Sequence, residues 1–361
     1  MIQHNSSEDY IEVAVVCALT REYDAMSRFG QFEEEEVKEI TKDYGAYRYG
    51  RIDSLRLVLA RPLKKGRVAM TVMATFLQSR FRNLKLVILT GICGGIPSAV
   101  TGHDLLFGDI VVDPRRLDAD VQVSGIKIEQ DSGGCSTTWA RGLRSAIETD
   151  DCLGYFKARI MDFLKPLQRA APAKYKYPGA GKDRLYQHDY PHFCEKCRMN
   201  QNLAYCECRK LPCDELGCSN DHLVRRDRID YKRKLEDDGR ADEAQTPNVI
   251  LGPVVSTEDV LRDPEKRDNL GTKGTVAIEM EADAVCEVFP CIVIKAVSDY
   301  ADSHKNDAYQ DYASATAASA TMVMLVILER LAGEVRSYLR LGAALYNQSL
   351  DSSVVGWDVT C

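Results

Sequence analysis

Three near-continuous apolar runs, at residues 11–19, 84–89 and 291–294, broken only by Glu12 and Lys85, constrain this chain more than any other feature. A strand with one wet face alternates apolar and polar residues, whereas a strand covered on both faces reads as an unbroken apolar run. Helix-like stretches at 20–29 and 68–77 separate such runs, which indicates an α/β sheet with buried parallel strands. The last run continues into Lys295-Ala296-Val297-Ser298-Asp299-Tyr300-Ala301-Asp302, so a strand delivers Ser298 and Asp299 at its C-terminal end. A second segment, Ala277-Ile278-Glu279-Met280-Glu281-Ala282, ends in two carboxylates that straddle a methionine. Open α/β sheets place their sites outside the carboxyl ends of strands. Carboxylates at two such ends suit a site that holds a hydroxylated substrate and moves a proton.

The chain has 361 residues, 45% of them apolar, enough for a full core. A net charge of −7 argues against a nucleic-acid-binding surface as the main function. The longest apolar stretch, 321–328, is too short to cross a bilayer and runs into Glu329-Arg330. Residues 1–9 are polar, with no apolar signal region. A soluble cytoplasmic protein without a membrane or nucleic-acid partner is the expectation.

Residues 44–50 and 55–60 read as a hairpin around Asp53-Ser54, and 108–112 as a further strand. The alternation breaks between 164 and 245, a stretch rich in charge, Tyr, Cys, Pro and Gly, and resumes at 249–256. A long helix from 308 to about 338 closes the domain, its first half built of Ala and Ser that permit close approach to the sheet. The expected organisation is a catalytic domain of residues 10–163 and 246–340, a Cys-rich insertion at 164–245 and a loose tail at 341–361.

Five motifs then occur in a telling order: residues 13–22, Thr90-Gly91-Ile92-Cys93-Gly94-Gly95, Gly108-Asp109-Ile110-Val111-Val112, Glu279-Met280-Glu281-Ala282 and Ser298-Asp299-Tyr300-Ala301-Asp302. In this order they resemble the nucleoside phosphorylase/nucleosidase superfamily, and methylthioadenosine/S-adenosylhomocysteine nucleosidase in particular. Asp118-Ala119-Asp120-Val121 is similar to that branch too. Residues 300–306, with Leu216-Gly217-Cys218 and Leu223-Val224-Arg225-Arg226, resemble the fungal nucleoside-phosphorylase-domain branch. The resemblance spans about residues 10–335 and implies a three-layer α/β/α sandwich around a mixed twisted sheet. It also implies a homodimer or higher homo-oligomer, with the Asp118 region near an interface.

By the same resemblance, Asp299 is the general acid on purine N7, oriented by Ser298, and Glu22 activates the attacking water. Glu281 binds the ribose hydroxyls, Met280 floors the sugar, and Glu279 is a secondary candidate. Gly94 and Ile92 belong to the glycine-rich loop that lines the sugar and nucleophile pocket. Each residue also has a plainer reading: Asp299 as a turn cap, Glu22 as a first-turn helix carboxylate, Met280 as core. Ile92 replaces a phosphate-binding Ser or Thr of the phosphorylases, and Glu22 would repel phosphate, so water is the expected nucleophile. No catalytic cofactor is implied. The expected activity is hydrolysis of a purine nucleoside or nucleotide. The alternatives are a phosphate-dependent phosphorylase, and a nucleotide-sensing module of the same fold with little turnover.

Three departures concern substrate identity. Val260 and Leu261 fall where the nucleosidase branch stacks a phenylalanine on adenine, and Lys295 replaces an arginine. Arg61-Pro62-Leu63-Lys64-Lys65-Gly66-Arg67 is strongly basic where relatives are apolar. Lys65 and its neighbours would suit a charged 5′ group, or form a solvated loop. Finally, six of the 13 cysteines lie between 194 and 218. Cys194, Cys197, Cys213 and Cys218 are the preferred ligands of a structural zinc, with His188, His192 and His222 in reserve; free thiols are the alternative.

Overall fold

The computed structural model describes residues 11–32, 44–97, 102–117, 135–192 and 211–351. Its strands are β1 (Val13–Cys17), β2 (Gly45–Ile52), β3 (Leu55–Pro62), β4 (Leu86–Gly95), β5 (Ile110–Asp113), β6 (Val249–Leu251), β7 (Val254–Ser256), β8 (Ala277–Glu279) and β9 (Cys291–Asp299). The helices that matter most are α1 (Thr20–Ser27), α2 (Arg67–Arg80), α3 (Cys135–Ile147), α4 (Asp150–Ala170) and α5 (Pro172–Tyr175). They continue with α6 (Cys213–Leu216), α7 (Asp227–Asp237), α8 (Ala241–Ala244), α9 (Pro264–Thr272), α10 (Ala282–Cys286) and α11 (Gln310–Asp351).

The strands form one mixed sheet in the order β2-β3-β1-β4-β9-β5-β6, with β8 pairing to the end of β4 and β7 to β8. Neighbours are parallel from β3 through β1 and β4 to β9, while β2 runs against β3 and β5 against β9. Every residue of β1 and of β9 is buried, as unbroken apolar runs require. Asp53 makes the hairpin turn between β2 and β3 with a φ of +47°, a left-handed conformation that Asp tolerates.

Helices cover both faces, giving a three-layer α/β/α sandwich. On one side α1, α4 and α11 pack on one another and on the sheet; α2 and α10 pack together against it elsewhere. The small residues of α11 do what their size permits. Ala313, Ala315, Ala317 and Ala320 are buried, and Thr321 Oγ1 reaches Thr90 Oγ1 of β4 at 2.7 Å. Residues 310–331 of this helix are apolar and long enough to cross a membrane, yet 89% of that window is buried inside the molecule, as in a core helix.

The charge-rich stretch does not stand apart from this body. Helix α4 runs through 164 to Ala170, with Leu164 and Leu167 in the core. From the start of α7, the buried Arg226 donates to Asp104 and to Tyr300 Oη. Arg228 pairs with buried Asp109 at 2.6 Å. Asp183 accepts from the Phe107 amide at 2.7 Å and from Tyr300 Oη. A buried charge is tolerated when paired and hydrogen-bonded, so this network locks residues 102–109, 183 and 226–228 together. The helix expected to end near 338 continues to Asp351.

Candidate active site

A cavity of about 360 Å³ opens at the carboxyl ends of β1, β3, β4 and β9. All eleven residues expected at a substrate site line it: Glu22, Lys65, Ile92, Gly94, Val260, Leu261, Glu279, Met280, Glu281, Ser298 and Asp299.

Glu22 stands in the first turn of α1 and caps that helix, its Oε2 accepting from the Leu19 amide at 2.8 Å and the Ala18 amide at 2.9 Å. The first-turn reading is therefore correct, and incomplete. Oε1 reaches across to β4 and accepts from the Ile92 amide at 2.8 Å. The approach is close enough that a Cβ on Gly91 would lie 2.2 Å from Oε1, so any larger residue there would displace the carboxylate. Burial pushes the Glu22 carboxyl above its ordinary range, against the pull of Lys295 and of the three amides.

At the end of β8, Glu279 is fully employed. Ser256 Oγ donates to it at 2.6 Å, and the Glu281 and Ala282 amides at 2.9 Å. The buried Lys295 ammonium lies 3.4 Å away. Burial alone would raise this carboxyl, but Lys295 and these donors outweigh it and hold Glu279 below the usual value. It acts as an anchor for the turn. Its neighbour Glu281 is held more loosely, by one 3.3 Å bond from the Gly66 amide. Burial lifts Glu281 to about 7, opposed by Lys295 and reinforced by the charges of Glu279 and Glu22.

Register explains how both Ser298 and Asp299 face the cavity. Cys93 of β4 pairs with Val297, but Gly94 pairs with Asp299, so β9 carries one extra residue at Ser298. Such a bulge re-aims side chains that would otherwise alternate between faces. Three donors converge on Asp299: Ser298 Oγ and Lys305 Nζ on Oδ2, and the Ala301 amide on Oδ1, each at 2.9 Å. Ala301 has a φ of +51°, a strained conformation for alanine. Leu261 packs with Ile278 and Ala301 to form an aliphatic wall, and none of the lining residues described is aromatic.

Sequence reasoning missed Lys305. Five residues separate it from Asp299, and the turn that joins them follows no periodic pattern. Its only signal was its place in the motif around residues 300–306. Thr257, Arg262, Asp307 and Gln310 were missed likewise.

The basic loop needs correction as a unit. Arg61 donates to Pro62 O and lies over the Tyr23 ring, and Arg67 pairs with Glu287 at 2.6 Å. Of the four cations only Lys65 lines the cavity. Among the zinc candidates, Cys194 and Cys197 lie outside the described residues, as does the Asp118 to Val121 segment. Cys213 and Cys218 meet His192, whereas His188 is exposed and His222 stacks on Tyr190.

An α/β sandwich with a carboxylate-rich cleft at its parallel strand ends thus defines the molecule. No protein-family model matches the chain. It is 26% identical over 331 residues to a nucleotide-binding leucine-rich repeat (NLR)-like protein of Hyaloscypha variabilis, covering 89% of this chain. The chain spans about 30% of that relative's length. Among solved structures it is similar to futalosine hydrolase of Helicobacter pylori, with a TM-score of 0.44, 16% identity and coverage of 88% of this chain and 97% of the other. It is similar too to the methylthioadenosine/S-adenosylhomocysteine nucleosidase of Neisseria meningitidis, with a TM-score of 0.44, 17% identity and coverage of 87% and 98%.

Proposed function

We propose that the cleft hydrolyses the N-glycosidic bond of a purine nucleoside or nucleotide, releasing free base and sugar. The observation that carries this reading is the meeting of Glu22, Glu281 and Asp299, from three separate segments of the chain, in one cavity. Glu22 takes a proton from water, whose oxygen bonds to C1′ of the sugar. The bond from C1′ to the base nitrogen breaks, and its electron pair leaves with the base. Asp299 delivers a proton to purine N7, and the proton that Glu22 took from water returns to Asp299 through solvent, closing the cycle. Glu281 accepts from the ribose hydroxyls and favours the cationic sugar of the transition state.

Two features support water over phosphate. The Ile92 amide, a natural phosphate donor, is already committed to Glu22. Arg21, which lines the cavity, is turned to Asp311 at 3.2 Å. Lys65 precedes the glycine whose amide holds Glu281, at the sugar end of the cleft. That placement favours a substrate with a 5′-phosphate.

The second reading is a ligand-sensing module within a larger protein; the NLR-like relative, about a third of which this chain spans, favours it. A product assay on adenosine, inosine and their 5′-monophosphates, with and without phosphate, tests both. Hydrolysis gives free base and unphosphorylated C1′ in either buffer, and Lys65→Ala impairs the nucleotides selectively. Asp299→Asn should lower turnover by about 100- to 10,000-fold while ligand still binds. Binding without base release in the parent protein would favour sensing, and sugar 1-phosphate formed only with phosphate would overturn hydrolysis.

A further inference from the structure

Away from the cleft, Cys213 opens the short helix α6, and Gly217 ends it in the left-handed conformation, with a φ of +70°. That reversal brings Cys218 back, its amide donating to Cys213 O at 3.1 Å. Both sulfurs face one atom, His192 Nδ1, at 3.7 Å from Cys213 Sγ and 3.3 Å from Cys218 Sγ. The opposite ring nitrogen of His192, Nε2, lies 2.9 Å from Leu211 O. A carbonyl only accepts, so Nε2 carries the proton and Nδ1 presents its lone pair to the two sulfurs.

Cys213 also interacts with Cys218 and Tyr186, but a single metal ion accounts for all three donor atoms at once, since they lie within 4.8 Å of one another. With Zn–S near 2.3 Å and Zn–N near 2.0–2.1 Å, a tetrahedral site spaces nitrogen and sulfur by about 3.6 Å, and the two observed distances bracket that value. A metal-bound histidine characteristically donates its other N–H to a carbonyl or carboxylate, as here. Two thiolates with one imidazole suit zinc better than magnesium or calcium.

We propose that His192, Cys213 and Cys218 hold a structural zinc ion. The assignment replaces part of the all-cysteine set expected from spacing: His192 enters as a ligand. The ion would act on the catalytic loop through its surroundings. The His192 amide donates to Ser303 Oγ at 3.1 Å, and Tyr186 stacks on His304 at 4.0 Å between ring centroids. Zinc would thus fasten residues 186–192 and 213–218 to the loop bearing Lys305.

The test is metal analysis of the full chain purified from zinc-supplemented culture, with cobalt(II) exchanged for zinc as an optical probe. The expected result is one zinc per chain, a lower Tm after chelation and an intense thiolate-to-cobalt charge-transfer band. Cys218→Ser and His192→Ala should each weaken metal affinity by at least about 10- to 100-fold, while His192→Cys, which restores a ligand, retains zinc. Zinc at background level, or a cobalt spectrum without thiolate bands, overturns the proposal even if the variants fail to fold. So does undiminished zinc in folded Cys218→Ser and His192→Ala.

Discussion

At the scale of single residues, the site divides its carboxylates by how many donors each one has. Glu279 is saturated and serves the backbone, whereas Glu281 has one long bond and a pKa lifted to about 7 from an ordinary 4.5. The sign of the pH effect follows. Because the folded state holds the proton more tightly, Glu281 favours folding at low pH, and this contribution is lost as pH rises through about 7. Glu281→Gln should therefore raise stability at pH 8 by about 1–3 kcal/mol and leave it nearly unchanged at pH 4. Ligand binding moves the other way, since ribose hydroxyls need an ionised acceptor. Nucleoside affinity in the parent should fall as pH drops below about 7, and the variant should bind weakly at every pH. Calorimetry and denaturant titration at several pH values measure both. The residue types of this arrangement were legible in the sequence, because carboxylates at strand ends are a chemical signal. Their different charge states were not, because those depend on Lys295 and on amides contributed by other elements.

At the scale of elements, the strand ends work because β9 uses one residue more than β4 over the stretch where the two pair. The bulge at Ser298 turns two consecutive side chains to the same cavity, and Gly91 lets Glu22 lie against β4. Gly91→Ala would place a methyl on the Glu22 carboxylate, costing about 1–3 kcal/mol of stability. Activity should fall further than stability accounts for, because the displaced carboxylate is the one proposed to hold water. Thermal melts beside turnover assays would separate the two losses. Unbroken apolar runs announced β1, β4 and β9, and the hairpin turn announced β2 and β3. The short β7 and β8 read less clearly from their own residues. Each has three residues, and they are defined by pairing, β8 with Gly94 and Gly95 at the end of β4 and β7 with β8. The bulge was invisible for a related reason: it is a relation between two strands, and neither strand carries it alone.

At the scale of the whole molecule, residues between 164 and 245 looked separable because they lack a sustained hydrophobic period. The described residues of this stretch are joined to the body by core side chains such as Leu164, Leu167 and Tyr175 and, beyond these, by charge. Arg226 and Arg228 take their partners from Asp104, Asp183 and Asp109 across more than 40 residues of sequence, and periodicity analysis has no access to pairs of that kind. The strand order has its own effect on how the molecule is made. β9, the last strand in the chain among the described residues, lies between β4 and β5, which are complete far earlier. Until it arrives, each of those strands has an open edge, and the sheet cannot close. Native structure therefore waits on contacts spanning most of the chain, which slows folding and prolongs exposure to aggregation. A chain terminated at Phe289 should show no cooperative unfolding transition and should partition into aggregates. The full chain, synthesised in the same extract, should acquire protease resistance only after residue 299 has left the ribosome.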